Sequence, residues 1–200
     1  MRLVFAGTPA VAVPTLRALA RAHEVAAVVT RPDAPLGRKR VLTPSPVAQA
    51  AAELDIPVIK AARLDDDATA AITALGAELG VIVAYGGLVR EPLLSAPAHG
   101  WINLHFSLLP RWRGAAPVQR ALIAGDAPLG VSVFQLVPAL DAGDVFAMQT
   151  VAVPDHATAD DALETLAVAG AAVTAQVVED IAAGTAVAAP QIGEPTTAAK

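Results

Sequence analysis

The stretch LGVIVAYGG, residues 79–87, is the clearest buried strand that the sequence predicts, and it decides the fold class. Valine and isoleucine dominate its first half, and Gly86 and Gly87 close it. A strand that is apolar on both faces is typical of a parallel sheet that is covered by helices on each side, because only there are both faces buried. The stretch therefore predicts an α/β protein.

The same pattern extends on both sides of this strand. Short apolar runs predict strands at 2–7, 24–30, 56–59 and 99–106, and apolar residues at helical spacing predict helices at 10–22, 46–54 and 66–76. Strands that alternate with helices in this way predict a Rossmann-like, open and mostly parallel sheet with helices on both faces.

The last third of the chain has a different pattern. Two apolar runs, 130–137 and 145–153, lie close together with a turn between them, and they predict an antiparallel hairpin that is added to the sheet. A long alanine-rich helix is predicted over 158–184. We expect one domain over residues 1–188, followed at 189–200 by an irregular tail or the start of a linker to a C-terminal domain that the 200 residues do not include.

Composition limits the classes of function. The chain of 200 residues is 54% apolar and 16% charged, which predicts a globular protein. Its net charge of -5 predicts no overall attraction to nucleic acid, so a polyanionic partner requires a local basic patch. The absence of cysteine excludes disulfides and thiolate metal sites, and it fits a cytoplasmic protein. No uninterrupted apolar stretch reaches about 18 residues, so we expect no membrane partner.

Two polar side chains stand at the end of a predicted strand. Asn103 and His105 are two residues apart, so both side chains project from the same face of the strand. The carboxyl ends of strands border the ligand crevice in open α/β sheets. An amide donor beside an imidazole suits the stabilisation of an oxyanion. The same two residues are also compatible with buried polar groups that only satisfy the backbone of a loop.

A carboxylate in a later turn extends this pattern. The segment ALDAGDV places Asp141 and Asp144 between the two late strands. A carboxylate near His105 is expected to orient the imidazole and to raise its pKa. An Asp-Gly turn that merely favours a hairpin is the alternative interpretation.

Basic residues form two local clusters. Arg31, Arg38, Lys39 and Arg40 lie in a loop that contains proline and glycine. Arg111, Arg113 and Arg120 follow the predicted strand of His105. From composition alone, an ordinary solvated loop is the better explanation of the first cluster.

Several motifs in chain order resemble the folate-dependent formyltransferases. They are VFAGTP at 4–9, RPDAPLGRKRVLTPSPV at 31–47, VIVAYG at 81–86, NLHFSLLPRWRGAAPVQRALIAGD at 103–126 and LDAGD at 140–144. The resemblance covers nearly the whole chain. It implies formyl transfer from 10-formyltetrahydrofolate to a free amine, without a metal, by a monomeric cytoplasmic enzyme.

The resemblance also implies roles for individual residues. The implied catalytic residues are Asn103, His105 and Asp141, the last rather than Asp144. Those implied to contact the folate are Tyr85, Gly86, Gly87, Leu88, Ser107, Leu108, Leu109 and Pro110. Those implied to contact tRNA are Arg38, Lys39, Arg40, Arg111 and Arg113.

Three interpretations of the acceptor stay open at this point. The basic loop and the segment PRWRGAAPVQ favour methionyl initiator tRNA, formylated for translation initiation. A small amine, such as an amino sugar or a purine precursor, is the second interpretation. The third is a catalytically silent module that binds folate or RNA.

Overall fold

A computed structural model describes residues 1–154 and 156–199 of the chain. The chain divides into two compact units, Met1–Trp101 and Ile102–Lys200. Each unit contains its own strands and helices, and each is described in turn.

The first unit is built on parallel strands. Its elements are β1 (Arg2–Gly7), α1 (Val13–Ala22), β2 (Glu24–Thr30), β3 (Ala34–Leu36), β4 (Val41–Thr43), α2 (Pro46–Glu53), β5 (Val58–Lys60), α3 (Asp66–Thr73) and β6 (Leu79–Val83). Strands β6, β1, β2 and β5 lie side by side in that order, and every pairing among them is parallel. Because the crossovers of parallel strands are right-handed, the return from β5 to β6 places α3 on the face opposite to α1 and α2. The predicted α/β class is confirmed.

The deciding stretch is a buried strand, as predicted, but it is shorter than predicted. All five residues of β6 are buried. The strand ends at Val83 because Ala84 and Gly86 take positive φ angles of 48° and 78°, which turn the chain out of the sheet. Residues 84–87 are therefore a loop at the carboxyl end of β6.

Helix starts in the first unit follow from the side chains that precede them. Ser45 accepts a hydrogen bond from the amide of Ala48 at the start of α2, and Asp65 accepts one from the amide of Ala68 at the start of α3. Such caps satisfy backbone donors that have no partner within the helix.

The basic loop has more structure than the sequence suggested. Strands β3 and β4 form a small antiparallel hairpin in which Leu36 pairs with Val41. Gly37 and Arg40 have positive φ angles of 69° and 50°, which allow the tight reversal between the strands. Leu36 and Leu42 are each 67% exposed, so the hairpin has no packed apolar face of its own.

The second unit carries the remaining elements. They are β7 (Trp101–His105), β8 (Arg113–Gly114), α4 (Pro117–Ile123), β9 (Leu129–Gln135), β10 (Val145–Val151), α5 (Ala159–Ala183) and β11 (Thr197–Ala198). Strand β9 pairs antiparallel with β7 and with β10, so the predicted late hairpin is confirmed. Its two strands are joined by residues 136–144, a longer connection than the short turn expected.

Two parts of the second unit were not predicted. Helix α4 begins at Pro117, and β11 in the expected irregular tail pairs parallel with β8. A two-residue strand has too few residues to show a periodic pattern, so only the folded chain reveals it.

Helix α5 is long and apolar enough to cross a membrane by length and composition. Its capping box, formed by Thr158 and Asp161, starts the helix, and Gly184 ends it with a left-handed conformation. Within the second unit, Leu166, Val177 and Val178 are buried, and the helix packs against β9, β10 and α4. This packing is that of a core helix.

Candidate active site

Strand β7 of the second unit presents Asn103 and His105 on one face, as predicted. Asn103 pairs with Phe134 and His105 with Ser132 across the antiparallel ladder with β9. The side chain of Asn103 is half-buried and makes no hydrogen bond with any residue in the described part of the chain. An amide with free donors at a strand end is available to a ligand.

His105 is held on three sides. Its Nε2–H donates to the carbonyl oxygen of Trp112 at 2.8 Å, and the ring of Phe134 packs edge-on with centroids 6.4 Å apart. Its Nδ1 lies 3.8 Å from Oδ2 of Asp141. Only 6% of His105 is exposed, so the ring has one tightly fixed orientation.

Asp141 lies in the loop between β9 and β10. Its Oδ2 accepts a hydrogen bond from the amide of Gly114 at 2.7 Å, and the residue is 9% exposed. Its φ of 46° is unusual for a residue with a side chain and turns the carboxylate toward the imidazole. The structure therefore brings together Asp141 and His105, whereas Asp144 is exposed.

Two opposing effects set the pKa of His105. Burial disfavours the charged imidazolium and lowers the pKa of His105 below its ordinary value. The carboxylate of Asp141 and the carbonyl of Trp112 oppose this effect without reversing it. Asp141 thus acts on the pKa in the expected direction, but the burial of the ring, which the sequence does not show, has the larger effect.

This pKa shift predicts a specific dependence of stability on pH. The unfolded chain binds a proton at His105 near pH 6.5, whereas the folded chain binds it only at lower pH. Below pH 6.5 the unfolded state therefore binds more protons, and acidification lowers the free energy of unfolding. We expect acidification to lower the free energy of unfolding of the wild type more than that of His105→Gln, as measured by urea unfolding.

The exposed His156 provides the control for this titration, since its replacement by glutamine leaves the buried ring in place. A wild type that gained stability relative to His105→Gln on acidification would show that the folded pKa is raised instead.

The segment after β7 uses most of its side chains internally. Ser107 donates to the carbonyl oxygen of Arg111 at 2.6 Å, and Leu109 packs with Phe134 and Val145. Leu108 is half-buried and lines a cleft of about 310 Å³. Folate contact by Ser107–Pro110 stays a prediction.

The other predicted folate segment lies in the first unit. Tyr85 is buried and its hydroxyl donates to the carbonyl oxygen of Ala61 at 2.9 Å, so its phenol supports the loop. Burial raises the pKa of Tyr85 above its ordinary value. The carbonyl of Gly86 accepts a hydrogen bond from Arg31, and Leu88 is 65% exposed. Gly87 packs against the ring of Tyr85.

The predicted tRNA contacts fall into two groups. Arg38, Lys39 and Arg40 are exposed at the tip of the β3–β4 hairpin and form no ion pair with a described residue. Arg111 forms an ion pair with Asp126 at 2.8 Å, and the guanidinium of Arg113 donates to Oε1 of Gln191. Among the described residues, Arg111 is the member of these two groups that forms an ion pair, whereas the guanidinium of Arg113 is held by a neutral amide.

Sequence reasoning missed three contributors to this arrangement. They are the carbonyl of Trp112, the amide of Gly114 and the side chain of Gln191. The first two act through backbone groups, which leave no signature in a side-chain pattern. Within the described residues there is no cluster of three side chains that could hold a metal ion.

His105 and Asp141 lie 3.8 Å apart, and the unpartnered amide of Asn103 is on the same face of β7. Groups of this kind can polarise a carbonyl and stabilise an oxyanion. The chain matches the formyl transferase family over residues 1–178 and belongs to that family. The resemblance seen in the sequence is thereby confirmed.

One relative within this family has a high sequence identity to the chain. The chain is 68% identical over 201 residues to a protein of Clavibacter sepedonicus named methionyl-tRNA formyltransferase, with 100% of this chain and 66% of that protein aligned. The chain thus spans slightly less than two thirds of the length of this relative.

Solved structures share the fold. Glycinamide ribonucleotide transformylase 1 from Symbiobacterium toebii matches with a TM-score of 0.76 and 21% identity over 92% of this chain and 88% of that one. An N-formyltransferase from Helicobacter canadensis, crystallised with folinic acid and dTDP-3-aminofucose, matches with a TM-score of 0.75 and 18% identity over 95% of this chain and 67% of that one. At these identities the likeness establishes the fold alone.

Proposed function

We propose that the protein transfers a formyl group from 10-formyltetrahydrofolate to the free amino group of methionyl initiator tRNA, for translation initiation in the cytoplasm. The proposal rests on the buried pair of His105 and Asp141 and on the unpartnered amide of Asn103, which lies on the same strand as His105. The name of the relative at 68% identity supports the choice of acceptor. We further propose that the enzyme acts as a monomer.

The proposed reaction begins with attack of the methionyl amine on the formyl carbon. A C–N bond forms, and the carbonyl oxygen gains negative charge in a tetrahedral intermediate. The bond between this carbon and N10 of the folate then breaks, and N10 gains the proton that the amine has lost. Asn103 and His105 donate hydrogen bonds to the developing oxyanion, which stabilises the transition state more than the ground state.

His105 acts as a neutral donor in this scheme. The lowered pKa keeps its imidazole uncharged near neutral pH. In the free protein its Nε2 proton is engaged by the carbonyl of Trp112 at 2.8 Å, so the formyl oxygen competes for that proton. Because burial fixes the ring before the substrate binds, only the partner of the Nε2 proton has to change when charge develops.

Asp141 is the proton acceptor of the proposed scheme. Its carboxylate faces Nδ1 of His105 at 3.8 Å and is fixed by the amide of Gly114. We infer that it holds the orientation of the imidazole and accepts the proton of the amine through water.

For the folate donor, we propose contacts in both predicted segments. In the first unit Gly86 and Leu88 are exposed after β6, where a ligand can reach the backbone. In the second unit Leu108 offers an apolar contact. Folinic acid in the Helicobacter canadensis structure supports a reduced folate as the ligand.

The acceptor tRNA is proposed to bind the basic hairpin. Arg38, Lys39 and Arg40 project from a turn that is bounded by Gly37, and their charges are not neutralised within the described chain. Free cations on a protein of net charge -5 provide the local patch that a polyanion requires. Arg111 contributes less because Asp126 already neutralises it.

Replacement of Arg38, Lys39 and Arg40 together by alanine is expected to weaken tRNA binding and leave folate binding unchanged. Each lost phosphate contact reduces counterion release, so the slope of log K against log salt should fall in magnitude by about two. Filter binding of initiator tRNA over a range of salt concentrations measures this slope.

The double variant Arg17→Ala and Arg21→Ala is a suitable control, because both residues lie on α1 outside the hairpin. An equal loss of tRNA affinity in this control would show that net charge, rather than the hairpin, attracts the tRNA.

The proposed function is tested by incubating the protein with labelled 10-formyltetrahydrofolate and methionyl initiator tRNA, and then following label in the tRNA. Transfer supports the proposal. Binding of the donor with transfer only to small amines would favour the sister activity on an amino sugar or purine precursor, and donor binding without any transfer would favour a silent binding module.

A further inference from the structure

Residues 189–199, here called the C-terminal strap, contact the loop that carries Asp141. Ala189 forms a backbone bridge with Val145 at the start of β10, and Thr197 and Ala198 pair with Arg113 and Gly114. The strap is thus anchored at two places in the second unit. It lies beyond residue 178, where the match to the formyl transferase family ends.

The side chain of Gln191 joins three groups in the space between these anchors. Its Nε2 donates to the carbonyl oxygens of Asp141 and Gly143, both at 2.8 Å. Its Oε1 accepts from the guanidinium of Arg113 at 2.6 Å. An amide has two N–H donors and one carbonyl oxygen. If the amide of Gln191 were flipped, its N–H groups would face the donors of Arg113, and its oxygen would face the carbonyl oxygens of Asp141 and Gly143. Gln191 is therefore fully matched to its surroundings.

Asp141 needs such an anchor. Its φ of 46° lies in the left-handed region, which is unfavourable for a residue with a side chain. Gly143 fits tightly, since a Cβ there would lie 1.8 Å from the carbonyl oxygen of Gln135. Hydrogen bonds to the carbonyls of Asp141 and Gly143 hold this strained backbone in place.

The strap also positions the hydrogen-bond donor of the Asp141 carboxylate. The carboxylate accepts from the amide of Gly114, whose φ is 124°. A Cβ on Gly114 would lie 2.8 Å from the carbonyl oxygen of Ala198, so the pairing of β8 with β11 sets the position of this amide. Both the backbone and the carboxylate of Asp141 are consequently held by groups that the strap positions.

We infer that Gln191 is a positioning residue of the reaction, which fixes the Asp141 carboxylate against His105 through the loop of residues 141–143. This inference rests on the proposed function for its effect on the rate, whereas its effect on Asp141 is independent of the reaction. Arg113 in turn holds Gln191 in place, because its guanidinium donates to Oε1 of that residue.

Two variants separate positioning from general stability. Gln191→Met keeps the length of the side chain and removes all four of its hydrogen bonds, two to the loop and two from the guanidinium of Arg113. Gln191→Glu keeps an acceptor for the guanidinium of Arg113 but removes both donors to the loop, so it preserves the anchoring of the strap. Gln176→Met is the matched control, because Gln176 makes its hydrogen bond to Asp180 on the exposed surface of α5.

We expect both Gln191 variants to lower kcat for formyl transfer by about 10- to 100-fold, the size of effect that a misplaced catalytic group produces. The KM for 10-formyltetrahydrofolate should change little, and Gln176→Met should behave as the wild type. The amide resonance of Gly114 should move upfield in both Gln191 variants, since its hydrogen bond to Asp141 weakens.

The outcomes that overturn the inference are equally specific. A Gln191→Glu variant with the kcat and the Gly114 resonance of the wild type would show that Gln191 only stabilises the strap. If the wild type transfers no formyl group, the proposed function fails. The Gly114 resonance alone then tests whether Gln191 positions Asp141. An unchanged resonance then overturns the inference, and an upfield shift in both variants supports the positioning of Asp141.

Discussion

Replacement of His105 by alanine is expected to reduce kcat for formyl transfer about a thousandfold while the protein stays folded. The substitution removes the donor that faces the developing oxyanion, and loss of such a group commonly costs 10²- to 10³-fold in rate. The measurement is steady-state transfer at saturating donor and acceptor. The KM values should change little, because the interaction strengthens mainly in the transition state.

His156→Ala is the control for this substitution, since His156 is exposed. Thermal unfolding of both variants establishes that they are folded at the assay temperature. A His105→Ala variant with a rate within a few-fold of the wild type would remove His105 from the mechanism.

Replacement of Asp141 by asparagine is expected to lower kcat by about 10²- to 10³-fold. The amide oxygen of asparagine can still accept from the Gly114 amide, which is 2.7 Å from the carboxylate in the wild type, so the loop keeps its geometry. The charge that faces Nδ1 of His105 at 3.8 Å is lost, and with it the acceptor for the amine proton. The measurement is kcat against pH for the wild type and the variant.

Asp144→Asn is a matched control on the same loop. Its side chain is exposed, and the loop contact of this residue with Gln135 is made by the backbone carbonyl, which the substitution retains. Equal losses of rate in the two variants would show that the loop tolerates no substitution and would withdraw the specific role of Asp141.

The sequence predicts the fold well where a pattern is long. Strands β1, β2 and β6 and helix α5 span several residues of regular periodicity, and each occurs where it is predicted. The β8–β11 pair has only two residues in each strand, and its formation depends on contacts between residues 113–114 and 197–198, which no local pattern records.

The candidate site is predictable for the same reason. Asn103 and His105 share a face because of the two-residue repeat of a strand, which the sequence shows directly. The proximity of Asp141 depends on a left-handed backbone and on Gln191, so it could be expected only from the resemblance to the family. The effect of Asp141 on the pKa of His105 has the expected direction, but burial, which lowers the pKa by more, is a property of the packed structure and could not be predicted.

For the basic hairpin, the sequence shows the charges but not which of them are available to a partner. Its charges are plain in the sequence, yet composition alone cannot separate Arg38, which is exposed and unpaired, from Arg113, which is bound to Gln191. Only the structure distinguishes charge that is available to a partner from charge that supports the site.

We propose that the side chains of the second unit carry out formyl transfer. The most direct test of this proposal is a single turnover of labelled formyl from bound 10-formyltetrahydrofolate to methionyl initiator tRNA, with wild-type protein and with His105→Ala, both in excess over the tRNA. We expect transfer by the wild type and, in the variant, about thousandfold slower transfer with both substrates still bound. Transfer at the same rate in both proteins would contradict the proposal.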